Sequence, residues 1–171
     1  MLFNSFVFLL AFLPTALILH GLVARAAPAW RLPLLVALSF VFYGWWDIRF
    51  VPLLAGSILA NWCVARAYRF WPGRWLIPAA IAANLALLGV FKYLDFAADL
   101  ANLIPGLEAQ RLGLALPLGI SFFTFHHIMY LADLRAGRAP GFGLVKYALY
   151  IAFFPQVLAG PLVRWSEIMH Q

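Results

Sequence analysis

The amino-acid sequence predicts an all-α fold, a polytopic integral membrane helical bundle of five or six transmembrane spans with a broken helix near residues 155–161. Three observations carry that expectation. Hydrophobic residues make up 65% of the 171 positions and charged residues 11%, and mean hydropathy is +0.92, a balance outside the soluble range. The apolar residues gather into six runs separated by short loops that hold most of the charge. Seven Trp, six Tyr and sixteen Phe exceed what a simple anchor needs and suit interfacial belts and helix packing.

The six runs cover roughly residues 5–23, 32–50, 51–65, 75–92, 112–132 and 144–163. Most approach the ~20 residues needed to cross a bilayer core. The third is short, and reads as tilted, re-entrant or continuous with its neighbour. Ala24, Arg25 and Ala26 after the first run mimic a signal-peptide cleavage site, but the leader MLFNS has no positive charge and the run is long enough to span. A retained first helix is therefore expected. With no soluble segment, fixed-period repeat or low-complexity linker, residues 1–171 read as a single integral membrane domain.

Loop charges alternate. Arg25 and Arg31 make the first loop positive, Asp47 and Arg49 cancel, and Arg66, Arg69 and Arg74 are positive. Asp95, Asp99, Glu108 and Arg111 leave a net negative charge, and Asp133, Arg135, Arg138 and Lys146 turn positive again. The positive-inside rule then places the N-terminus outside, in a multi-pass protein of the cell inner (cytoplasmic) membrane. The excess of 12 basic over 6 acidic residues is explained by these loops, so no nucleic-acid partner is expected; the partner is the lipid bilayer. The stretch Leu94 to Arg111, rich in Asp, Asn, Pro and Gly, reads as an outside loop with room for an interfacial helix. Trp45 and Trp46 beside Asp47 and Arg49 read as an interfacial anchor in which Asp47 neutralises Arg49.

Two stretches carry the polar residues that an ordinary span lacks. The first, FFPQVLAGPLVRW at Phe153 to Trp165, sets Gln156, Gly160 and Arg164 among Pro155 and Pro161, each of which removes a backbone donor. Broken helix at membrane depth is tolerated where it packs in protein or lines a watery cavity, so Gln156, Gly160, Pro161 and Arg164 are candidate tunnel residues. For Arg164 the competing reading is a snorkelling interfacial cation. The second, Pro117 to Asp133, holds Ser121, Thr124, His126, His127, Tyr130 and Asp133. At 100° per residue His126, Tyr130 and Asp133 share one stripe, and Thr124 and His127 share another with Leu131. Intramembrane ionisable groups face the bundle interior or one another, which makes Ser121, His126, Tyr130 and Asp133 substrate-lining candidates. The bland alternative is an imidazole held by Thr124 or by a backbone carbonyl.

Other chemistries find less support. Ser121, a histidine and Asp133 supply the residue types of a hydrolytic triad, but no GxSxG elbow surrounds Ser121. Adjacent His126 and His127 point about 100° apart and cannot share one ion in a regular helix, so no metal is expected. A lone Cys63 excludes an intrachain disulfide and a cysteine cluster. No Gly-rich phosphate loop follows a strand.

Five blocks in fixed order resemble the membrane-bound O-acyltransferases. They are NSFVFLLAFLP at Asn4 to Pro14, FVFYGWWDIRF at Phe40 to Phe50, FKYLDF at Phe91 to Phe96, PLGISFFTFHHIMYLADLRAG at Pro117 to Gly137, and the FFPQVLAGPLVRW segment. The similarity is greatest to the bacterial branch that holds the alginate O-acetyltransferase membrane subunit and the teichoic acid D-alanyl transfer protein. It covers nearly the whole chain. At His126 and His127 the family usually has Gln or Glu followed by a small residue, so the resemblance assigns no inherited catalytic role to either.

The family's catalytic His lies in a later block of the type RWHxSLSxWLRDY, and no residue of this chain matches it. The resemblance thus implies the N-terminal half of an acyltransferase, inactive alone, with no catalytic residue among positions 1–171. It implies no bound cofactor, a co-substrate donor of acyl-CoA or acyl-carrier type, an extracytoplasmic polysaccharide acceptor such as alginate, and periplasmic or cytoplasmic acyl-transfer partner proteins. This half would supply tunnel walls. Rival readings are a noncatalytic scaffold or docking subunit and a transporter fragment, the latter expected to show inverted repeats that the sequence lacks.

Overall fold

A computed structural model of the chain describes residues 5–103, 110 and 112–154. Among these residues the regular structure is helical, as the composition predicts. A π-helical turn at Phe8–Phe12 leads into α1 (Leu13–Ala26), followed by α2 (Arg31–Trp46), α3 (Val51–Phe70), α4 (Leu76–Ala101), α5 (Ile120–Arg135) and α6 (Leu144–Ala152). Three stretches, Phe8–Ala26, Ile48–Phe70 and Leu76–Ala101, are long and apolar enough to cross a membrane. α2 and α5 have 16 residues each, somewhat under the ~20 of a full crossing. The expected break near 155–161 lies outside the described residues.

Several boundaries differ from the sequence reading: the fifth run, expected from 112, is helical only from Ile120, and the second, expected to 50, ends as helix at Trp46. The third run, marked short at 51–65, is a 20-residue helix ending at Phe70. The Arg66 guanidinium lies over the rings of Trp62 and Phe70, 5.6 and 5.7 Å from their centroids. A cation stacked on aromatic neighbours one turn away does not end a helix. The polar stretch from Leu94, expected as a loop, begins as helix: α4 runs on to Ala101. Leu94, Ala97, Ala98 and Leu100 are strong helix formers, and they outweigh Asp95 and Asp99.

Local signals explain the other ends. Asp47, in extended conformation after α2, accepts the Arg49 backbone N–H at 2.9 Å and caps the 3₁₀ turn Ile48–Phe50. It also pairs with the Arg49 guanidinium at 2.7 Å, the neutralisation expected from sequence, and these hydrogen bonds hold its carboxyl below the usual carboxylate range. Gly119, with φ +67°, turns the chain into α5. Gly137, with φ +71°, closes α5 in a Schellman arrangement: its N–H donates to Leu134 and the Arg138 N–H to Asp133.

α5 packs most closely on α4, α6 on α2, and α3 touches α4, α5 and α6. The core cluster joins Tyr43 of α2, Leu54 and Ile58 of α3, Ile77 and Leu88 of α4, Ile120, Phe123 and Tyr130 of α5, and Tyr147, Tyr150 and Ile151 of α6. A second cluster stacks Phe8, Phe12, Phe42 and Phe154 with ring centroids 5.3–6.4 Å apart. Large apolar side chains elsewhere point outward, among them Leu10, Leu17, Ile18, Leu22, Val41, Leu59, Leu85 and Phe125. In lipid such faces need no cover.

Candidate functional site

The inner face of α5 is the polar centre of the bundle. Thr124, His126, His127 and Tyr130 are all buried, with Thr124 and His127 at 0% exposure. α6 covers them with Tyr147 and Tyr150, equally buried. Phe122 and Phe125, between the polar positions, face out, so the 3.6-residue period has sorted one helix into a polar interior and an apolar exterior.

The two histidines differ in their partners. His126 donates from Nδ1 to the Phe122 carbonyl at 2.7 Å, one turn back on its own helix, and its ring meets Tyr150 edge-on at 5.3 Å. A backbone carbonyl holding an imidazole was one of the two readings open from sequence. His127 reaches across helices instead, its Nδ1 2.6 Å from the Tyr147 hydroxyl on α6 and its Nε2 3.3 Å from Ser57 Oγ on α3. Ser57 in turn donates to the Leu54 carbonyl at 2.8 Å. A single proton order satisfies every donor. Tyr147 O–H donates to Nδ1, Nε2–H donates to Ser57 Oγ, and the Ser57 hydroxyl donates to Leu54, which makes His127 a neutral imidazole protonated on Nε2.

Tyr130 ties the centre to the α5–α6 loop. Its hydroxyl donates to the Pro140 carbonyl at 3.0 Å and receives the Phe142 N–H at 3.4 Å, while Trp62 of α3 donates to the Phe142 carbonyl at 3.1 Å. Arg69 lies directly against Gly141, where a Cβ would collide with the guanidinium. The loop is thus fastened to α3 from both sides. Next to it, α3 and α4 are joined by Asn61 and Asn84, whose buried amides exchange hydrogen bonds of 3.1 and 2.7 Å. Three further hydroxyls, of Tyr43, Thr124 and Tyr150, are buried with no hydrogen-bond partner among the described residues.

The sequence-derived candidates are therefore only partly brought together. His126 and Tyr130 sit in the centre beside Tyr150. Asp133 stands at the end of α5 and binds Arg138 through Oδ1 at 2.7 and 2.9 Å, and Ser121 lies half-buried in the first turn of α5. Gln156, Gly160, Pro161 and Arg164 lie outside the described residues. Ser57 and Tyr147 were missed from sequence. The one available signal was a serine and a tyrosine within apolar runs, and the spacing along either helix says nothing of the other. Among the described residues no group of three or more His, Cys, Asp or Glu is placed to hold a metal.

Comparison with known proteins follows this geometry. No family model matches the chain, and no solved structure matches it. Over its full length the chain is 38% identical to the "Probable alginate O-acetylase AlgI" of Pseudomonas putida, covering 37% of that protein. It is 37% identical to the "Peptidoglycan O-acetyltransferase" of Helicobacter pylori, covering 38% of it, and 37% identical to the Pseudomonas aeruginosa alginate protein of the same name, covering 34% of it. The chain thus spans little more than a third of the length of these relatives, where the resemblance had implied a half. The similarity runs over the whole of this chain and agrees with the resemblance to the membrane-bound O-acyltransferases.

Proposed function

We propose that residues 1–171 form membrane walls of an acyltransferase that moves an acetyl group onto hydroxyls of an extracytoplasmic polysaccharide such as alginate. The full-length similarity to alginate and peptidoglycan O-acetylating proteins carries this reading. The polar centre supports it: a bundle that only anchored a partner would have little use for Thr124, His126, His127 and Asn61 buried in a low-dielectric interior, where polar groups are costly.

In this mechanism the N-terminus is outside and the first, third and fifth loops are in the cytoplasm of an inner-membrane protein. An acyl donor, carried on coenzyme A or an acyl-carrier protein, arrives at the cytoplasmic face. The acceptor hydroxyl arrives from the other, with help from periplasmic or cytoplasmic acyl-transfer partners. Gln156 offers amide hydrogen bonds and Arg164 a fixed positive charge to the passing groups, while Gly160 and Pro161 keep the helix open. His126 and Tyr130, buried at the bundle centre, are further lining candidates, with Ser121 and Asp133 toward the ends of α5. The base that takes the acceptor proton comes from a histidine block supplied in the longer protein, so these residues alone do not turn over.

The test is acetyl transfer to a polysaccharide acceptor by detergent-solubilised protein, in which both faces are accessible. Residues 1–171 alone should be silent, and a longer chain carrying the histidine block should be active. In that longer chain Gly160→Leu should abolish transfer at unchanged membrane abundance, because leucine fills the passage and is at home in lipid. Parental activity in Gly160→Leu, or sustained turnover by residues 1–171, contradicts the reading.

A further inference from the structure

The Ser121–His–Asp133 triad does not form, yet His127 meets another serine. Ser57 Oγ lies 3.3 Å from His127 Nε2, and Tyr147 holds the opposite ring nitrogen at 2.6 Å. Nucleophile, imidazole and orienting group come from α3, α5 and α6, a hydroxyl–imidazole–phenol line in the geometric order of acyl-transfer triads. The histidine and tyrosine are fully buried, whereas Ser57 retains 8% exposure. That exposure opens onto a cleft of about 230 Å³ between α3 and α4, bordered by Ala60, Ala83 and the paired Asn61 and Asn84. The cleft has room for a short acyl group.

The geometry points to Ser57 as an acyl-accepting nucleophile, with His127 as its base and Tyr147 as the positioning residue, taking an acetyl group from an acetyl thioester. At rest the Ser57 hydroxyl donates its proton in a hydrogen bond to the Leu54 carbonyl. Rotation of the hydroxyl hydrogen toward Nε2, with the imidazole proton moved to Nδ1 and donated to Tyr147 Oη, reverses the line without displacing a heavy atom. Ser57 Oγ then attacks the thioester carbonyl and its proton passes to His127 Nε2. The C–S bond breaks, the Nε2 proton goes to the leaving thiolate, and an acetyl ester remains on Ser57 with a free thiol as product. No oxidant, reductant or metal enters the balance. The station does not rest on the polysaccharide reading: it is loaded once per chain, whereas that reading concerns turnover to an acceptor, so each can fail alone.

The experiment incubates the full 171-residue chain in nanodiscs with acetyl-coenzyme A, followed by intact mass and peptide mapping. One acetyl group per chain, on Ser57, is expected. Ser57→Ala should lose it, His127→Gln should slow acylation about a hundredfold and Tyr147→Phe about tenfold, since a positioned base typically contributes 10²–10⁴. Ser57→Cys keeps a nucleophile in place and should carry its acetyl as a hydroxylamine-labile thioester, which decides the matter if the alanine variant fails to insert. No acetyl gain, acetyl mapped elsewhere, or a Ser57→Cys chain that stays unmodified overturns the assignment.

Discussion

α1 and α5 are both apolar helices, and the bundle treats them in opposite ways. Across Phe8–Ala26 only Phe8 and Ala16 are buried, while Leu9, Leu10, Leu17, Ile18 and Leu22 face out. α5 buries eight of its 16 positions, and three of the eight are Thr124, His126 and His127. In water the ranking would favour burying leucines. In a bilayer the solvent is as apolar as leucine, so the inside goes to side chains that need hydrogen-bond partners. Polar demand decides which face of α5 turns inward, and Ile120, Phe123, Leu131 and Leu134 fill the interior around it.

That comparison can be broken by substitution. The largest effect is expected at His127→Leu, which fills similar space but strands the Tyr147 hydroxyl and removes both cross-helix bonds; about 2 kcal/mol should be lost, since interhelical bonds in membranes each contribute ~0.6–1.7. Asn84→Leu, which removes the reciprocal amide pair between α3 and α4, should cost about 1 kcal/mol. Ile18→Ala on the lipid face of α1 should stay within about 0.5 kcal/mol. Reversible unfolding in mixed micelles measures all three. Equal losses at Ile18 and His127 would mean that packing, and not polar satisfaction, orders the bundle.

Much of this was legible in the sequence, because the apolar runs locate helices and the period along each run tells inside from outside. The stripe through His126 and Tyr130 predicts an inward face, and both are buried. Asp133 shows the limit of the method. It shares the stripe of His126, but seven residues on it stands ~10 Å further along the axis, where Arg138 is nearer than the bundle centre. Ser57 and Tyr147 show a second limit: they meet His127 across 70 and 20 residues of chain, and no periodicity within one helix encodes its neighbour. The extents of α3 and α4 show a third limit: an apolar run stops at the first charge, but the helix that carries it does not. Arg66 over Trp62 and Phe70, and Asp95 accepting the Leu112 N–H at 2.9 Å, satisfy their charges without leaving helical structure.

Residues 1–171 are proposed to do the work of the matching segment in an O-acetylating membrane enzyme. Exchanging that segment of the Pseudomonas putida relative for residues 1–171, in cells whose own copy is deleted, and measuring acetyl esters on alginate puts this to the test. Acetylated alginate above the deletion background is expected, lost again when Gly160→Leu is added. A chimera present in the membrane at parental abundance that leaves alginate unacetylated would contradict it.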